Sequence, residues 1–245
     1  MNHALACWRV GRVLAHLLAG LAQIVLVFPR LSQPQRDLRV QVWSSRMLAR
    51  LGVALTVSGT PPRAGPVLLV ANHISWLDIL VLHAARHCRF VAKSDVRHWP
   101  LIGRLATGGG TLYIERESRR DAMRVVHHMA QALKDGDILA VFPEGTTGDG
   151  TGLLPFHANL IQAAISASVP IQPVALAFLD GLTGRPSQAM SYIGDESLVG
   201  SVWRTLRARQ LRALVTYGTP ELAQGRDRRT WARDLHGAVE ALRRK

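Results

Sequence analysis

Acidic residues are scarce in this chain, and cysteines are scarcer. Of 245 residues, 17 are Asp or Glu against 30 Lys or Arg, a formal net charge of +13, and no acidic residue precedes Asp37. Such an imbalance favours polyanionic partners: nucleic acid, an anionic lipid surface or phosphorylated substrates. It does not choose among them. The two cysteines, Cys7 and Cys88, have neither metal-ligand spacing nor the number a disulfide framework needs. They read as reduced thiols in a protein facing the cytosol. Internal repeats and low-complexity tracts are missing. With 48% hydrophobic and 19% charged residues the chain is not disordered, and its length suffices for one α/β domain with a full core.

The N-terminus lacks something further. Val13 to Phe28 carries no charge, and Arg9, Arg12, Arg30 and Arg36 flank it. As a helix this run would be ~24 Å long at ~1.5 Å per residue, short of a bilayer core of ~30 Å. Arg9, Arg12, His16 and Gln23 fall within an arc of about 60° at ~100° per residue, a narrow polar stripe on an otherwise apolar helix. A helix lying in the interface, or one pairing with a neighbour, suits the stripe as well as a span does. A cleaved signal peptide fits worse, because Pro29-Arg30-Leu31-Ser32-Gln33-Pro34 offers no small-x-small cleavage site. A second helix is expected from about Asp37 to Leu51, started by Pro34 and Asp37 and ended by Gly52. Arg39, Arg46 and Arg50 share one of its faces. That face is either a clamp on anionic lipid or an ordinary solvated one. Residues 1–58 are accordingly read as a membrane anchor of two helices, and residues 59–245 as the α/β domain.

From Val67 the pattern alternates. Val67–Ala71 and Ile138–Phe142 are short continuous apolar runs of the kind buried on both faces of a parallel sheet. Strands are also expected at Arg89–Ala92, Thr111–Glu115, Ile171–Phe178 and Leu211–Tyr217. Helices are expected at Leu77–Ala85, Arg119–Lys134, Leu153–Ala167 and Trp231–Arg244, with a helix or turn at Trp99–Leu105. Strands alternating with helices imply a single α/β domain with a mostly parallel, mixed sheet covered by helices.

Working residues in such folds collect on loops after strand ends, and three loops carry suitable groups. After Val67–Ala71 come Asn72, His73 and Asp78. A strand-to-helix turn can fold Asp78 back onto His73, so that the imidazole takes a proton from a hydroxyl while the carboxylate holds its tautomer. No Gly-x-Ser-x-Gly elbow surrounds Ser75, so the nucleophilic hydroxyl would come from the substrate. After Thr111–Glu115 comes Arg116, whose planar fork matches phosphate or carboxylate; an ion pair with Glu115 or Glu117 is the alternative. After Ile138–Phe142 comes Pro143-Glu144-Gly145-Thr146-Thr147-Gly148-Asp149-Gly150, either an oxyanion cradle or a bare turn.

Together these segments resemble the glycerolipid acyltransferase family, whose type member is 1-acylglycerol-3-phosphate acyltransferase. Four blocks occur in order: Asn72-His73-x-x-x-x-Asp78, Gly110–Arg116, Phe142-Pro143-Glu144-Gly145-Thr146, and Val169-Pro170-Ile171-Gln172-Pro173-Val174. Phe90-Val91-Ala92-Lys93 also fits. The resemblance covers roughly Trp43 to Phe178. It implies acyl transfer from acyl-CoA or acyl-carrier protein to a lysolipid hydroxyl, with His73 as base and Asp78 as its orienter. Arg116 would hold the acceptor's phosphate, and Glu144 and Gly145, with Thr146 and Lys93, would help bind substrate. The Pro170 block would border the donor side. No metal and no redox cofactor are implied. The expected setting is the inner (cytoplasmic) membrane with the catalytic domain facing the cytoplasm.

The chain departs from the family pattern twice. Thr147 stands where the family often has Arg, and Phe156-His157-Ala158-Asn159 stands where a basic residue and then Gly are common. One cationic phosphate contact is thus expected to be missing. Acyltransferases of lyso-ornithine lipid show similar variants, so lysophosphatidate is the first acceptor expected and lyso-ornithine lipid the second. Two other classes compete, a membrane-bound hydrolase and a basic nucleic-acid binder. No nucleic-acid partner is expected, because no binding module appears and the basic residues are not interleaved with aromatics.

Overall fold

The computed structural model describes residues 3–114 and 119–244. Seven strands form one sheet: β1 (Val53–Ser58), β2 (Val67–Ala71), β3 (Arg89–Lys93), β4 (Leu112–Ile114), β5 (Ile138–Val141), β6 (Ile171–Asp180) and β7 (Leu211–Tyr217). Their order is β1-β7-β6-β2-β5-β3-β4. Every pairing is parallel except β6 with β7. The fold is therefore the mostly parallel, mixed α/β sheet expected from the alternation.

Helices cover both faces. They are α1 (His3–Ala22), α2 (Gln33–Leu51), α3 (Leu77–Ala85), α4 (Ile102–Gly108), α5 (Arg119–Lys134), α6 (Gln162–Ala167), α7 (Leu198–Arg207) and α8 (Arg228–Arg243). Strand β2 shows how the two cores arise. Its side chains alternate, so Leu69 and Ala71 pack with Leu51 of α2, Leu77 and Val81 of α3 and Leu206 of α7. Leu68 and Val70 pack on the other face with Met129 and Leu133 of α5, Ala164 of α6 and Trp231 of α8. All five β2 residues are buried, as their unbroken apolar run requires.

Three local readings change. Residues 53–58, grouped by sequence with the N-terminal helices, form edge strand β1, held in the sheet by parallel pairing with β7. Helix α7 has no counterpart in the sequence reading. The helix expected over Leu153–Ala167 is confined to Gln162–Ala167. Its first part is extended because Leu154 donates its N–H to Glu144 and His157 donates its N–H to the Pro143 carbonyl, while Pro155 has no N–H to give. The strand expected to reach Glu115 is described only to Ile114.

Two members of the polar stripe on α1, Arg9 and His16, turn toward the protein, while Arg12 stays exposed. His16 Nε2 lies 2.9 Å from the Trp43 carbonyl oxygen, and Trp43 Nε1 donates to the His16 carbonyl at 3.1 Å. The two rings stack at 5.0 Å. Arg9 reaches past Gly52 to the carbonyls of Leu206 and Ala208 at the end of α7. The opposite face of the helix is left outward, with Leu14, Leu18, Val25 and Leu26 exposed. The continuous helical run His3–Arg30 is long and apolar enough to cross a membrane by length and composition.

On α3, His83 is buried between His87, whose ring centroid is 5.1 Å away, and the edge of Phe90 at 5.0 Å. Burial pushes its imidazole down to about 3, with the neighbouring His87 adding to the fall. The unfolded chain therefore binds a proton that the native state refuses as pH drops below about 6.5. The stabilisation is complete above that pH and is lost progressively toward pH 3, by roughly 3 kcal/mol at pH 4. Urea unfolding across pH 4–8 should show this slope, and His83→Leu should flatten it. A variant retaining the full slope would assign the acid sensitivity to other groups.

Candidate active site

Strands β2 and β5 are neighbours, so the loops that leave their C-terminal ends start about 4.8 Å apart. This adjacency joins two segments that lie far apart in the chain. Asn72 continues the β2 ladder with its side chain. Its Nδ2 donates to the Leu176 carbonyl at 3.0 Å, and its Oδ1 accepts the Leu176 N–H at 2.7 Å. The chain is thereby pinned to β6 one residue before His73.

His73 and Asp78 meet as expected. Nδ1 of His73 is 2.7 Å from Asp78 Oδ2, and the same oxygen accepts the N–H groups of Ile74 at 2.7 Å and Ser75 at 2.9 Å. Asp78 sits in the first turn of α3, where peptide dipoles favour negative charge. A carboxylate can only accept, so it fixes the proton on Nδ1 and leaves the Nε2 lone pair free. Phe142 stacks flat on the imidazole, centroids 4.1 Å apart and planes 9° apart. Asp78 is fully buried and the His73 side chain is 20% exposed, so the pair is sheltered on the Asp78 side and open on the other. The second carboxylate oxygen, Oδ1, is buried and meets no donor among the described residues. The negative charge of the carboxylate stabilises an imidazolium when one forms.

Glu144, expected to help bind substrate, turns its carboxylate to the backbone around His73. It is buried, and Oε1 accepts the His73 N–H while Oε2 accepts the Leu154 N–H, both at 2.7 Å. Burial raises its carboxyl above the ordinary range, and these two bonds pull it back. Gly148 donates its N–H to the His73 carbonyl at 2.8 Å. Loop 142–150 thus grips both backbone polar groups of His73, and Glu144 is a positioning residue.

Gly145 has φ +74°, and a Cβ there would lie 3.1 Å from the His157 ring. The positive φ is what calls for glycine in this turn. Thr146 is exposed beside it. Lys93 ends β3, exposed, at the same end of the sheet. Arg116 lies outside the described residues. The Pro170 block is built into the sheet: Ile171 and Val174 are buried, and Gln172 donates to the carbonyls of Thr60 and Gly218.

Three site contacts carried no signal in the sequence reading. Phe142 stands in the sequence as a strand end and the first residue of the third block, with nothing to show that it covers His73. Tyr192 gives its N–H to the Ile74 carbonyl and its carbonyl to Thr147 Oγ1. Arg243, at the end of α8, donates to the Gly150 carbonyl at 2.6 Å. The last two come from distant parts of the chain, which local spacing cannot reveal.

Comparison with known proteins agrees with this geometry. Residues 54–177 match the Acyltransferase family. A lyso-ornithine lipid O-acyltransferase of Pseudomonas aeruginosa is 39% identical over 84% of this chain and 78% of its own length. A 1-acyl-sn-glycerol-3-phosphate acyltransferase of Neisseria meningitidis is 34% identical over 80% of this chain and 77% of its own. The crystal structure of the 1-acyl-sn-glycerophosphate (LPA) acyltransferase PlsC from Thermotoga maritima superposes with a TM-score of 0.71. It covers 99% of this chain and 95% of that one at 18% identity, a likeness of fold. With the His73–Asp78 pair seated on this sheet and the match running through both loops that build it, the chain belongs to the acyltransferase family.

Proposed function

We propose that this protein is a membrane-associated lysolipid O-acyltransferase. It moves a fatty acyl group from acyl-CoA or acyl-carrier protein to the free hydroxyl of 1-acylglycerol-3-phosphate, giving phosphatidic acid. The observation that carries the reading is the oriented His73, its Nδ1 held by Asp78 and its Nε2 without a partner among the described residues. In the reaction, Nε2 takes the acceptor's hydroxyl proton as the oxygen attacks the thioester carbonyl. The carbon–sulfur bond then breaks, and the thiolate leaves with the proton from the imidazolium. The thioester is already activated and the imidazole handles the proton, so the step calls on no metal or redox group. Arg116, with Thr146 and Lys93, is assigned to substrate contact.

A second acceptor is favoured by Thr147 and by the P. aeruginosa relative: lyso-ornithine lipid, whose anion is a carboxylate. Both acceptors present a hydroxyl and an anionic head, and no nucleic acid enters the scheme. The outward face of α1 supports membrane association, since Leu18 and Leu26 are each 62% exposed, and Arg12, Arg39 and Arg46 are exposed on the two N-terminal helices. Apolar side chains beside cations suit an anionic bilayer surface. We assign the protein to the inner membrane, its catalytic side in the cytoplasm.

Labelled acyl-CoA and acyl-carrier protein, each offered with lysophosphatidate and lyso-ornithine lipid, test the reading. The expected product is a diacylated lipid. Free fatty acid alone would mark a hydrolase. On vesicles of anionic phospholipid the protein should sediment, and Leu18→Glu with Leu26→Glu should release it. Unchanged sedimentation would overturn the assignment of that face.

A further inference from the structure

We propose that Arg243, from the far end of the chain, supplies the acceptor-side cation that position 147 lacks and is a specificity-determining residue for the anionic head group. This rests on the lysolipid acyltransferase reading. Thr147 is neutral, and its hydroxyl is already committed to the Tyr192 carbonyl. The loop that bears it is nevertheless reached by a guanidinium. Arg243 donates to the Gly150 carbonyl at 2.6 Å across 93 positions of sequence and pairs with Glu240 at 2.7 Å.

Gly150 packs on the catalytic loop: a Cβ added to it would lie 3.6 Å from Ile74 Cγ2. Two residues earlier, Gly148 holds the His73 carbonyl. The positive charge therefore stands at the rim of the loop that grips the base. Burial raises the Glu144 carboxyl and the Thr151 hydrogen bonds lower that of Asp149, and Arg243 is near enough to add a small downward pull on each. A guanidinium has five N–H donors in a rigid fork. Glu240 and Gly150 occupy two of them; the side chain is 10% exposed, and a phosphate or carboxylate would approach the remaining N–H groups through that narrow opening.

The placement explains how a chain with Thr147 keeps an anion-binding capacity: the cation has moved from the loop itself to a helix packed against it. The shared chemistry is an anionic head group. Lysophosphatidate would present a phosphate to it and lyso-ornithine lipid a carboxylate.

Steady-state kinetics on the full-length protein decide the matter, with each acceptor and with acyl-CoA varied in turn. Arg243→Ala should raise KM for the acceptor that the wild type uses by roughly ten- to hundred-fold, the loss of one charge-assisted hydrogen bond. KM for acyl-CoA and kcat should stay within about threefold. Arg243→Lys should fall between, keeping charge without the fork. Thr147→Arg in the Arg243→Ala background should recover most of the acceptor KM, which a purely structural Arg243 would not permit. An unchanged acceptor KM in Arg243→Ala, or a fall in kcat with both KM values shifted alike and no rescue, would overturn the proposal. Wild-type protein that acylates no lysolipid would instead overturn the reading on which it rests.

Discussion

Asp78→Asn should lower kcat by about four orders of magnitude while leaving the acceptor KM within a few-fold, the size seen when the orienting carboxylate of a comparable His pair is neutralised. The structure explains why so small a change costs so much. One oxygen, Oδ2, takes the His73 Nδ1 proton and the N–H groups of Ile74 and Ser75 together. If the amide oxygen keeps that place, the amide nitrogen falls where Oδ1 now lies, buried and without a partner. If the amide turns over, its N–H groups meet three donors and the imidazole loses its tautomer. Either way the negative charge that stabilises the imidazolium is gone. His73→Ala should be at least as damaging, and the double variant no worse than His73→Ala alone, because the two residues act as one unit. Product formation from labelled acyl-CoA measures all three. An Asp78→Asn enzyme within tenfold of wild type would remove Asp78 from the proton-transfer step.

The second large effect belongs to Glu144. Its two oxygens end on backbone N–H groups, one of them from His73 itself. Glu144→Ala strands the half-buried His73 N–H at about 1–3 kcal/mol, leaves the exposed Leu154 N–H to solvent, and frees the His73 backbone from one side of its clamp. The expected result is a loss of about 1–3 kcal/mol in unfolding free energy, with kcat reduced by about two orders of magnitude because a misplaced base is a poor one. Glu144→Gln keeps one acceptor oxygen and should fall between. The pattern that would contradict a positioning role is a large rise in acceptor KM with kcat and stability unchanged, the mark of direct substrate contact. Urea unfolding and steady-state kinetics on the same preparations separate the two.

The fold was legible wherever burial leaves a one-dimensional trace. Val67–Ala71 and Ile138–Phe142 announced central parallel strands because a strand covered on both faces cannot afford polar positions. The polar stripe of α1 was legible as a stripe, but its partners were not. His16 and Arg9 satisfy their donors on Trp43, Leu206 and Ala208, and only packing brings those groups within reach. Strand β1 and helix α7 escaped notice for a related reason. Val53–Ser58 is an edge strand, half open to solvent, so its apolar pattern is diluted. The segment Leu198–Arg207 mixes Arg, Ser and Thr with its apolar positions, and these are buried only because Trp76 and Ser191 meet Ser201 there.

At the site the division is sharper. The sequence alone determined that His73 would follow a buried strand with Asp78 one helical turn further on, because a strand end and a helix start are local events and five residues span them. Only the tertiary structure decided that Glu144 braces the base, that Phe142 lies flat on the imidazole, and that Arg243 stands at the loop bearing Thr147. Each of those contacts joins segments far apart in the chain. Their distance in space is set by which strands pair and which helix covers them, and no spacing along the chain encodes that.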